Sequence, residues 1–195
     1  MSRRLIDGAR LVGYGVAYFF AAGAFASYWP VWLRDRSATD AEIGTLFMAR
    51  QLVSVVSVLS MGYLAHRLGN LRGLLVALGV GAIVVMGAYQ LSYTFLALLL
   101  VGLVWGCIWS PTMALYDGVL VNEAKARGFV YGNLRMWGSM AFIVGTLICG
   151  VAVDRFGPPS VLFVGFVGIA CLIPFALLLP RGEAHARTAG AAAPF

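Results

Sequence analysis

Charged side chains are scarce in this sequence. Of its 195 residues, only 11% are Asp, Glu, Lys or Arg, whereas 61% are hydrophobic. A typical water-soluble domain carries about 25% charged residues, so this chain lacks the charge needed to cover a surface that faces water. The composition therefore excludes an ordinary soluble domain and indicates an integral membrane protein that lies in the lipid bilayer.

Cysteine and histidine are also rare. Cys107, Cys149 and Cys171 lie within apolar runs, and they have neither the spacing of metal ligands nor the even number of a disulfide framework. An intramembrane protease needs a buried histidine or a pair of buried aspartates, but His66 and His185 fall in a predicted loop and tail. We therefore expect no metal, no cofactor and no enzymatic activity.

Basic residues outnumber acidic ones, and the net charge is +6. They lie in the short gaps between apolar runs rather than in a patch, so we expect no nucleic-acid partner. Of the fourteen, nine lie on the side of the N-terminus, three on the opposite side and two within predicted helices. The positive-inside rule then places both termini in the cytoplasm, and it predicts a multi-pass protein of the plasma (inner) membrane.

The apolar runs predict an all-α membrane protein. A spanning helix needs about 20 mostly apolar residues. Six such spans are predicted, at residues 11–33, 43–65, 73–90, 94–122, 130–153 and 159–179. Residues 73–116 form one charge-free run, which the polar residues 90–94 divide into the third span and most of the fourth. Residues 1–10 would be a cytoplasmic N-terminus, and the Ala/Gly-rich residues 181–195 a cytoplasmic tail or an interrupted inter-domain linker.

A short pattern occurs twice in the chain. Residues 62–69 read GYLAHRLG and residues 150–157 read GVAVDRFG, so both contain Gly-x-x-x-x-Arg-x-Gly. The two segments end the predicted second and fifth helices, on opposite sides of the membrane and three helices apart. This spacing predicts a 3+3 inverted repeat, which transporters of the major facilitator type contain in each six-helix half.

Three charged residues fall within the predicted spans, where charge is costly and usually functional. Asp117 precedes the predicted end of helix 4 by five residues, and Arg135 follows the predicted start of helix 5 by five. Both would therefore lie about 7.5 Å deep, and we predict that they pair in a shared cavity rather than extend to the surface. No acid clearly reaches Arg50 on helix 2, so it either extends outward or faces a cavity and an anionic solute.

Polar and aromatic side chains follow single helix faces. On helix 5 the polar stripe runs through Arg135, Ser139, Phe142, Thr146 and Cys149, which predicts contact with protein or water rather than lipid.

The aromatic faces lie on two other helices, and they would either stack on a ring-shaped solute or pack in the core. They comprise Tyr14, Tyr18, Phe25 and Tyr28 on helix 1, with Trp105 and Trp109 on helix 4.

Three segments resemble a known family. Residues 18–24 (YFFAAGA), 30–35 (PVWLRD) and 131–139 (YGNLRMWGS) are similar to segments of the lactose permease and phenylpropionate permease branch of the major facilitator superfamily. The resemblance covers roughly residues 14–179. It implies that the chain is the N-terminal six-helix half of a major facilitator fold, with Asp117 and Arg135 as solute ligands and Phe142 at the solute-stacking position.

The resemblance also implies a cytoplasmic gating loop after helix 2, formed by Gly62, His66, Arg67 and Gly69. The family signature has an acidic residue where this chain has His66, which puts the usual gating contact in doubt. Two further residues differ from lactose permease: Phe142 replaces its tryptophan at the stacking position, and Asp117 replaces its glutamate. These differences argue against lactose as the solute.

The sequence thus predicts a secondary active transporter, a proton-coupled symporter of a small organic solute. An aromatic or other organic acid is favoured over a sugar or nucleoside, because two arginines face one acid. The predicted substrate-binding residues are Asp117, Arg135, Ser139, Phe142, Arg50, Tyr18 and Trp109. Because the family has twelve helices, the chain is either a fragment or a half that pairs with a second six-helix unit. The alternative is a six-helix accessory or structural membrane protein without transport activity of its own.

Overall fold

The computed structural model describes residues 3–179, and within that part the chain folds into six α-helices and no strands. The helices are α1 (Arg3–Asp35), α2 (Asp40–Leu68), α3 (Leu71–Gln90), α4 (Phe95–Arg127), α5 (Tyr131–Phe156) and α6 (Ser160–Leu178). Each is long and apolar enough to cross a membrane. The predicted six-helix, all-α fold is confirmed, whereas the predicted tail at 181–195 lies outside the described residues.

Polar residues between the apolar runs define where the helices begin. Thr39 and Glu42 form a reciprocal capping box at the start of α2, and the Thr94 hydroxyl accepts a hydrogen bond from the Ala97 amide at the start of α4. Gly69 and Gly128 end α2 and α4 with φ of +61° and +70°. Only glycine adopts this left-handed conformation at little cost, so each helix stops sharply and the next begins within a few residues.

Helix α4 is longer than the sequence predicts, because it ends at Arg127 rather than at residue 122. The extra residues are mostly good helix formers, and the Arg127 Nε lies 2.7 Å from the Glu123 Oε2, one turn earlier. A polar extension of this kind continues beyond the apolar span. The expectation that Asp117 lies five residues from the helix end was therefore wrong; it lies ten residues from Arg127, about 15 Å along the axis.

The packing of the helices is symmetric under exchange of the two halves. Helix α1 packs along α5 and α6, helix α4 packs along α2 and α3, and α3 packs against α6. Exchanging α1 with α4, α2 with α5 and α3 with α6 leaves this set of contacts unchanged. The arrangement is the one that a 3+3 inverted repeat produces.

Two glycines allow α1 and α5 to approach at the level of the backbone. A Cβ atom on Gly145 would collide with the carbonyl oxygen of Phe20, and one on Gly23 would collide with the carbonyl oxygen of Phe142. Close contact of this kind is how small residues stabilise helix pairs inside a membrane. It turns the face of α5 that carries the polar stripe toward α1.

Helix α4 contains a proline within its membrane span, and helix α2 compensates for it. Pro111 has no amide hydrogen, so the carbonyl of Cys107, four residues earlier, loses its helical partner. The hydroxyl of Ser57 on α2 donates to this carbonyl over 2.8 Å. The interruption of α4 is therefore satisfied by a neighbouring helix, as a membrane interior requires.

Candidate functional site

The two charged residues on α4 and α5 lie next to each other. Arg135 Nε is 3.9 Å from Asp117 Oδ1, and the side chains are 33% and 34% exposed. The side chain of Tyr131, the first residue of α5, also lies close to the Asp117 carboxylate. The predicted approach is thus confirmed, although its substrate-binding role stays a prediction. Tyr131 was not predicted, because a tyrosine at a helix start gives no distinctive sequence signal.

The ion pair leaves one acceptor and one donor unused. Asp117 Oδ1 and Arg135 Nη1 are both inaccessible, and neither has a hydrogen-bond partner among the described residues. A buried polar atom without a partner costs about 1–3 kcal/mol, so such atoms are rare in folded proteins. The hydrogen-bonding capacity of the pair is therefore not fully used, but these two atoms are not open to a solute in this conformation.

An aromatic ring holds the arginine of this pair in place. The guanidinium carbon of Arg135 lies 4.1 Å from the centroid of the Phe19 ring. Gly138, one turn further along α5, leaves space for that ring, because a Cβ there would come within 2.5 Å of it. A contact of this type is worth about 0.5–2 kcal/mol. The role of Phe19 was not predicted, because Phe19 does not lie on the aromatic face of α1.

Aromatic side chains of α1 and α4 form a stack beside the ion pair. Trp109 stacks on Tyr18 at 4.3 Å and 15°, and on Trp105 at 4.9 Å and 14°. The Tyr18 hydroxyl donates to the carbonyl of Trp109 over 3.3 Å. Tyr18 and Trp105 are only 5% and 3% exposed, whereas Trp109 is half-buried. Trp109 is therefore the least buried member of the stack, although its ring stacks on both Tyr18 and Trp105.

Most of the predicted aromatic face of α1 belongs to the core instead. Tyr14 and Phe25 are 0% and 6% exposed, and they pack against Tyr116 and Trp105. Helix α1 has neighbours on several sides, so it buries this face. Of the two readings left open by the sequence, core packing holds for these residues.

Arg50 occupies a different part of the same region. It is half-buried on α2, with its guanidinium carbon 4.9 Å from the centroid of the Phe47 ring. No carboxylate forms an ion pair with it within residues 3–179.

A small cavity adjoins Arg50 and has room for about one water molecule. Its volume is about 10 Å³, and it is lined by Trp29, Leu33, Leu46, Phe47, Arg50, Tyr89, Leu98 and Gly102. Arg50 thus has room for about one water molecule beside it, and no acidic side chain lines this cavity.

The polar stripe of α5 divides into two parts. Ser139 is exposed and Phe142 is half-buried, so both are accessible on the same face as Arg135. Further along, Thr146 donates to the carbonyl of Gly23 over 3.1 Å, and Cys149 is fully buried. The first part can contact a solute, whereas the second holds α5 to α1.

The predicted gating residues lie around a second, larger cavity. It has a volume of about 390 Å³ and is lined by Gly62, Ala65, His66, Gly69, Leu71, Ala114, Leu115, Gly118 and Asn122. The structure thus places three of the four predicted gating residues at one cavity, with Arg67 exposed beside them. Their gating role stays a prediction. Among residues 3–179 no group of three His, Cys, Asp or Glu side chains is arranged to hold a metal.

Comparison with known proteins gives consistent matches. The model of the MFS_1 like family matches residues 11–192. A probable 3-phenylpropionic acid transporter of Escherichia coli (strain K12) is 29% identical over 172 residues, which cover 87% of this chain and 44% of that protein. A sucrose permease of Escherichia coli is 26% identical over 71% of the chain and 35% of its own length.

A maltose permease of Geobacillus stearothermophilus is 24% identical over 84% of the chain and 42% of its own length. The chain therefore spans less than half the length of these curated relatives. No solved structure matches it as a relative.

Proposed function

Because the chain belongs to the MFS_1 like family, we propose that it forms one six-helix half of a secondary active transporter for a small organic acid. Its relatives are permeases rather than enzymes, and it is itself an integral, multi-pass membrane protein. The proposed setting is the inner membrane, with both termini in the cytoplasm, as the distribution of basic residues indicates.

The observation that carries the proposal is the half-buried Asp117–Arg135 pair between α4 and α5. Charges of this kind inside a membrane usually mark a solute pathway. With Arg50 the region contains two cations and one anion, so it favours an anionic solute. Arginine binds carboxylates through a planar fork of donors, and the partly exposed Trp109 adds aromatic surface nearby. Both features suit an aromatic acid better than a sugar or a nucleoside.

A second half is proposed as the partner. The most apolar windows of α2 and α5 are each only 22% buried, against 33–50% for the other four helices. Their exposed side chains are large and apolar, including Leu52, Val56 and Leu59 on α2 and Met140 and Leu147 on α5. These faces would be covered by the second six-helix unit, either another part of a longer chain or another copy.

Proton coupling is part of the proposal, and it depends on the assembled transporter. Asp117 is the carboxylate that lies well inside a span, because other acids of the described chain lie near helix ends. One carboxylate that is already paired with Arg135 is a poor basis for a proton cycle. The 195-residue chain alone, in liposomes with an imposed pH gradient, should therefore not accumulate the acid; uphill, proton-dependent uptake would contradict the need for a second half.

The direct experiment is competition binding on the purified chain in lipid nanodiscs. Radiolabelled 3-phenylpropionate should bind saturably, and other aromatic carboxylates should displace it. Sucrose and uridine should not displace it at the same concentrations. If sugars compete and carboxylates do not, the charge argument is wrong. If no solute of any of the three classes binds, the accessory-protein alternative is favoured instead.

A further inference from the structure

The six helices divide into two sets of three. Helix α1 packs with α5 and α6, and helix α4 packs with α2 and α3. The two sets join along α3 and α6, whereas the backbones of α1 and α4 come close at few positions. The seam between α1 and α4 therefore depends on individual side chains rather than on close packing of the two helices.

Two hydrogen bonds between α1 and α4 cross this seam. The hydroxyl of Tyr116 donates to the carbonyl of Leu11 over 2.9 Å, toward the near end of the bundle, which carries the N-terminus. The hydroxyl of Tyr18 donates to the carbonyl of Trp109 over 3.3 Å, about 10 Å further along α1. These bonds secure the near end and the middle of the seam, and they leave its far end, where α1 ends and α4 begins, to other contacts.

The half-buried Arg36 supplies a contact at the far end. It follows the last residue of α1, and its Nη1 donates to the carbonyls of Gln90 and Ser92 over 3.2 and 3.3 Å. Gln90 is the last residue of α3, and Ser92 lies in the loop that leads into α4. Carbonyls at the end of a helix lack amide partners and carry partial negative charge, so a cation is a suitable partner for them. One side chain of the first set thus binds the connection between two helices of the second.

Aromatic rings from both sides of the seam also contact this guanidinium group. Its carbon atom lies 4.9 Å from the centroid of the Trp32 ring and 4.4 Å from that of the Tyr93 ring. Trp32 belongs to α1 and is fully buried, whereas Tyr93 belongs to the loop between α3 and α4. Arginine is attracted to the face of such rings because of their electron density. Arg36 therefore joins two rings as well as two carbonyls across the seam.

We propose that Arg36 is a clasp that keeps the two three-helix sets together at the far end, so that the seam between α1 and α4 stays closed there. The clasp goes beyond the proposed transport, but it suits that function, because a half that moves against a partner has to keep its own shape. Lysine is a poor substitute, because its ammonium group lacks the planar surface that stacks on the rings.

The experiment measures distances across the seam by pulsed electron paramagnetic resonance. The full chain, with its native cysteines replaced by alanine, is placed in lipid nanodiscs. Spin labels at Leu96 on α4 and Phe156 on α5 report on the far end, because both residues are exposed and belong to different sets. Labels at Leu68 on α2 and Asn133 on α5 report on the near end. No solute is added, so the outcome does not depend on the proposed transport.

Arg36→Gln should raise the ratio of open to closed seam at the far end about tenfold or more, as expected for the loss of hydrogen bonds from a charged group. Arg36→Lys, which keeps the charge, and Tyr93→Leu, which removes one ring, should each raise it about threefold. Near-end distances should stay unchanged in all three variants. Arg34→Gln is the matched control at the same end of α1, because that arginine is 59% exposed and paired with Asp40, and it should behave as the unaltered chain.

The clasp is overturned if the far-end distances of Arg36→Gln match those of the unaltered chain. It is also overturned if Arg34→Gln opens the seam equally, since any loss of charge at the end of α1 would then be sufficient. Equal changes at the near end would show a loosened fold instead of an opened seam, and they overturn it too. If Arg36→Gln does not fold, Tyr93→Leu decides, because it leaves the arginine in place, and unchanged far-end distances in that variant contradict the clasp.

Discussion

The hydroxyl of Ser57 should stabilise the fold only because Pro111 interrupts α4. Ser57 is 7% exposed and donates to the Cys107 carbonyl over 2.8 Å, the carbonyl that proline leaves without an amide partner. Ser57→Ala would leave that carbonyl unsatisfied in an apolar environment. Ser60 is the matched control, because it is exposed and bonds only to Val56 on its own helix.

An unsatisfied buried carbonyl costs about 1–3 kcal/mol, whereas side-chain hydrogen bonds between membrane helices average about 0.6 kcal/mol. We expect Ser57→Ala to lie between these limits, at about 1–2 kcal/mol of unfolding free energy, and Ser60→Ala to cost below about 0.5 kcal/mol. In a Pro111→Ala background the amide of residue 111 can again donate to the Cys107 carbonyl. There the cost of Ser57→Ala should fall below about 0.5 kcal/mol.

The unaltered chain and the four variants are compared by equilibrium unfolding in mixed detergent micelles, with helix content and tryptophan fluorescence as signals. The coupling energy between positions 57 and 111 then isolates the compensated carbonyl from any general effect of losing a serine. Equal costs for Ser57→Ala and Ser60→Ala, or an unchanged cost in the Pro111→Ala background, would refute the reasoning.

Two further substitutions test the packing and the site. Gly145→Ala should destabilise the protein by about 1–3 kcal/mol, because the new methyl group meets the Phe20 carbonyl and this exceeds the gain in helix propensity of about 1 kcal/mol. Gly132→Ala has nothing within 4 Å and should be neutral or slightly stabilising in the same unfolding assay; similar losses at both positions would contradict the close α1–α5 contact. Trp109→Ala should weaken binding of an aromatic acid about threefold to tenfold, as the loss of one ring stack predicts. Trp137→Ala, which is 50% exposed, should leave affinity unchanged, and equal effects at both tryptophans would remove Trp109 from the site.

Much of the fold follows from the alternation of long apolar runs and short polar breaks. The run between residues 73 and 116 exceeds one membrane thickness, so it had to contain two helices, and the structure has α3 end at Gln90 and α4 begin at Phe95. The approach of Asp117 and Arg135 was predicted as well, but from an equal depth that the longer α4 does not support, since Asp117 lies ten residues from the end of α4 and Arg135 four residues from the start of α5. The end of α4 was not predicted, because its last turns are polar and the hydropathy pattern marks only the membrane-embedded part.

The contacts between distant helices could not be predicted from the sequence. Pro111 predicts that the Cys107 carbonyl lacks its helical hydrogen-bond partner. No neighbouring residue in the sequence indicates that the Ser57 hydroxyl donates to this carbonyl. Likewise, helical spacing groups Tyr18 with other aromatic residues on α1, but it does not show that Trp109 covers Tyr18 and remains partly exposed itself. Which face a central helix buries depends on how many neighbours it has, and that is a property of the whole bundle.

A solute is proposed to occupy the space beside the Asp117–Arg135 pair, and protection from alkylation tests this occupancy most directly. In a chain without its native cysteines, one cysteine is introduced at Ser139, one turn from Arg135 on the accessible stripe, or at Met140, which is 50% exposed on the adjacent face. Rates of reaction with a maleimide are compared with and without a saturating aromatic acid. The bound acid should slow the rate of labelling at position 139 at least several-fold, and it should leave the rate at position 140 unchanged. Equal rates at position 139 with and without the acid, or protection by a sugar instead, would contradict it.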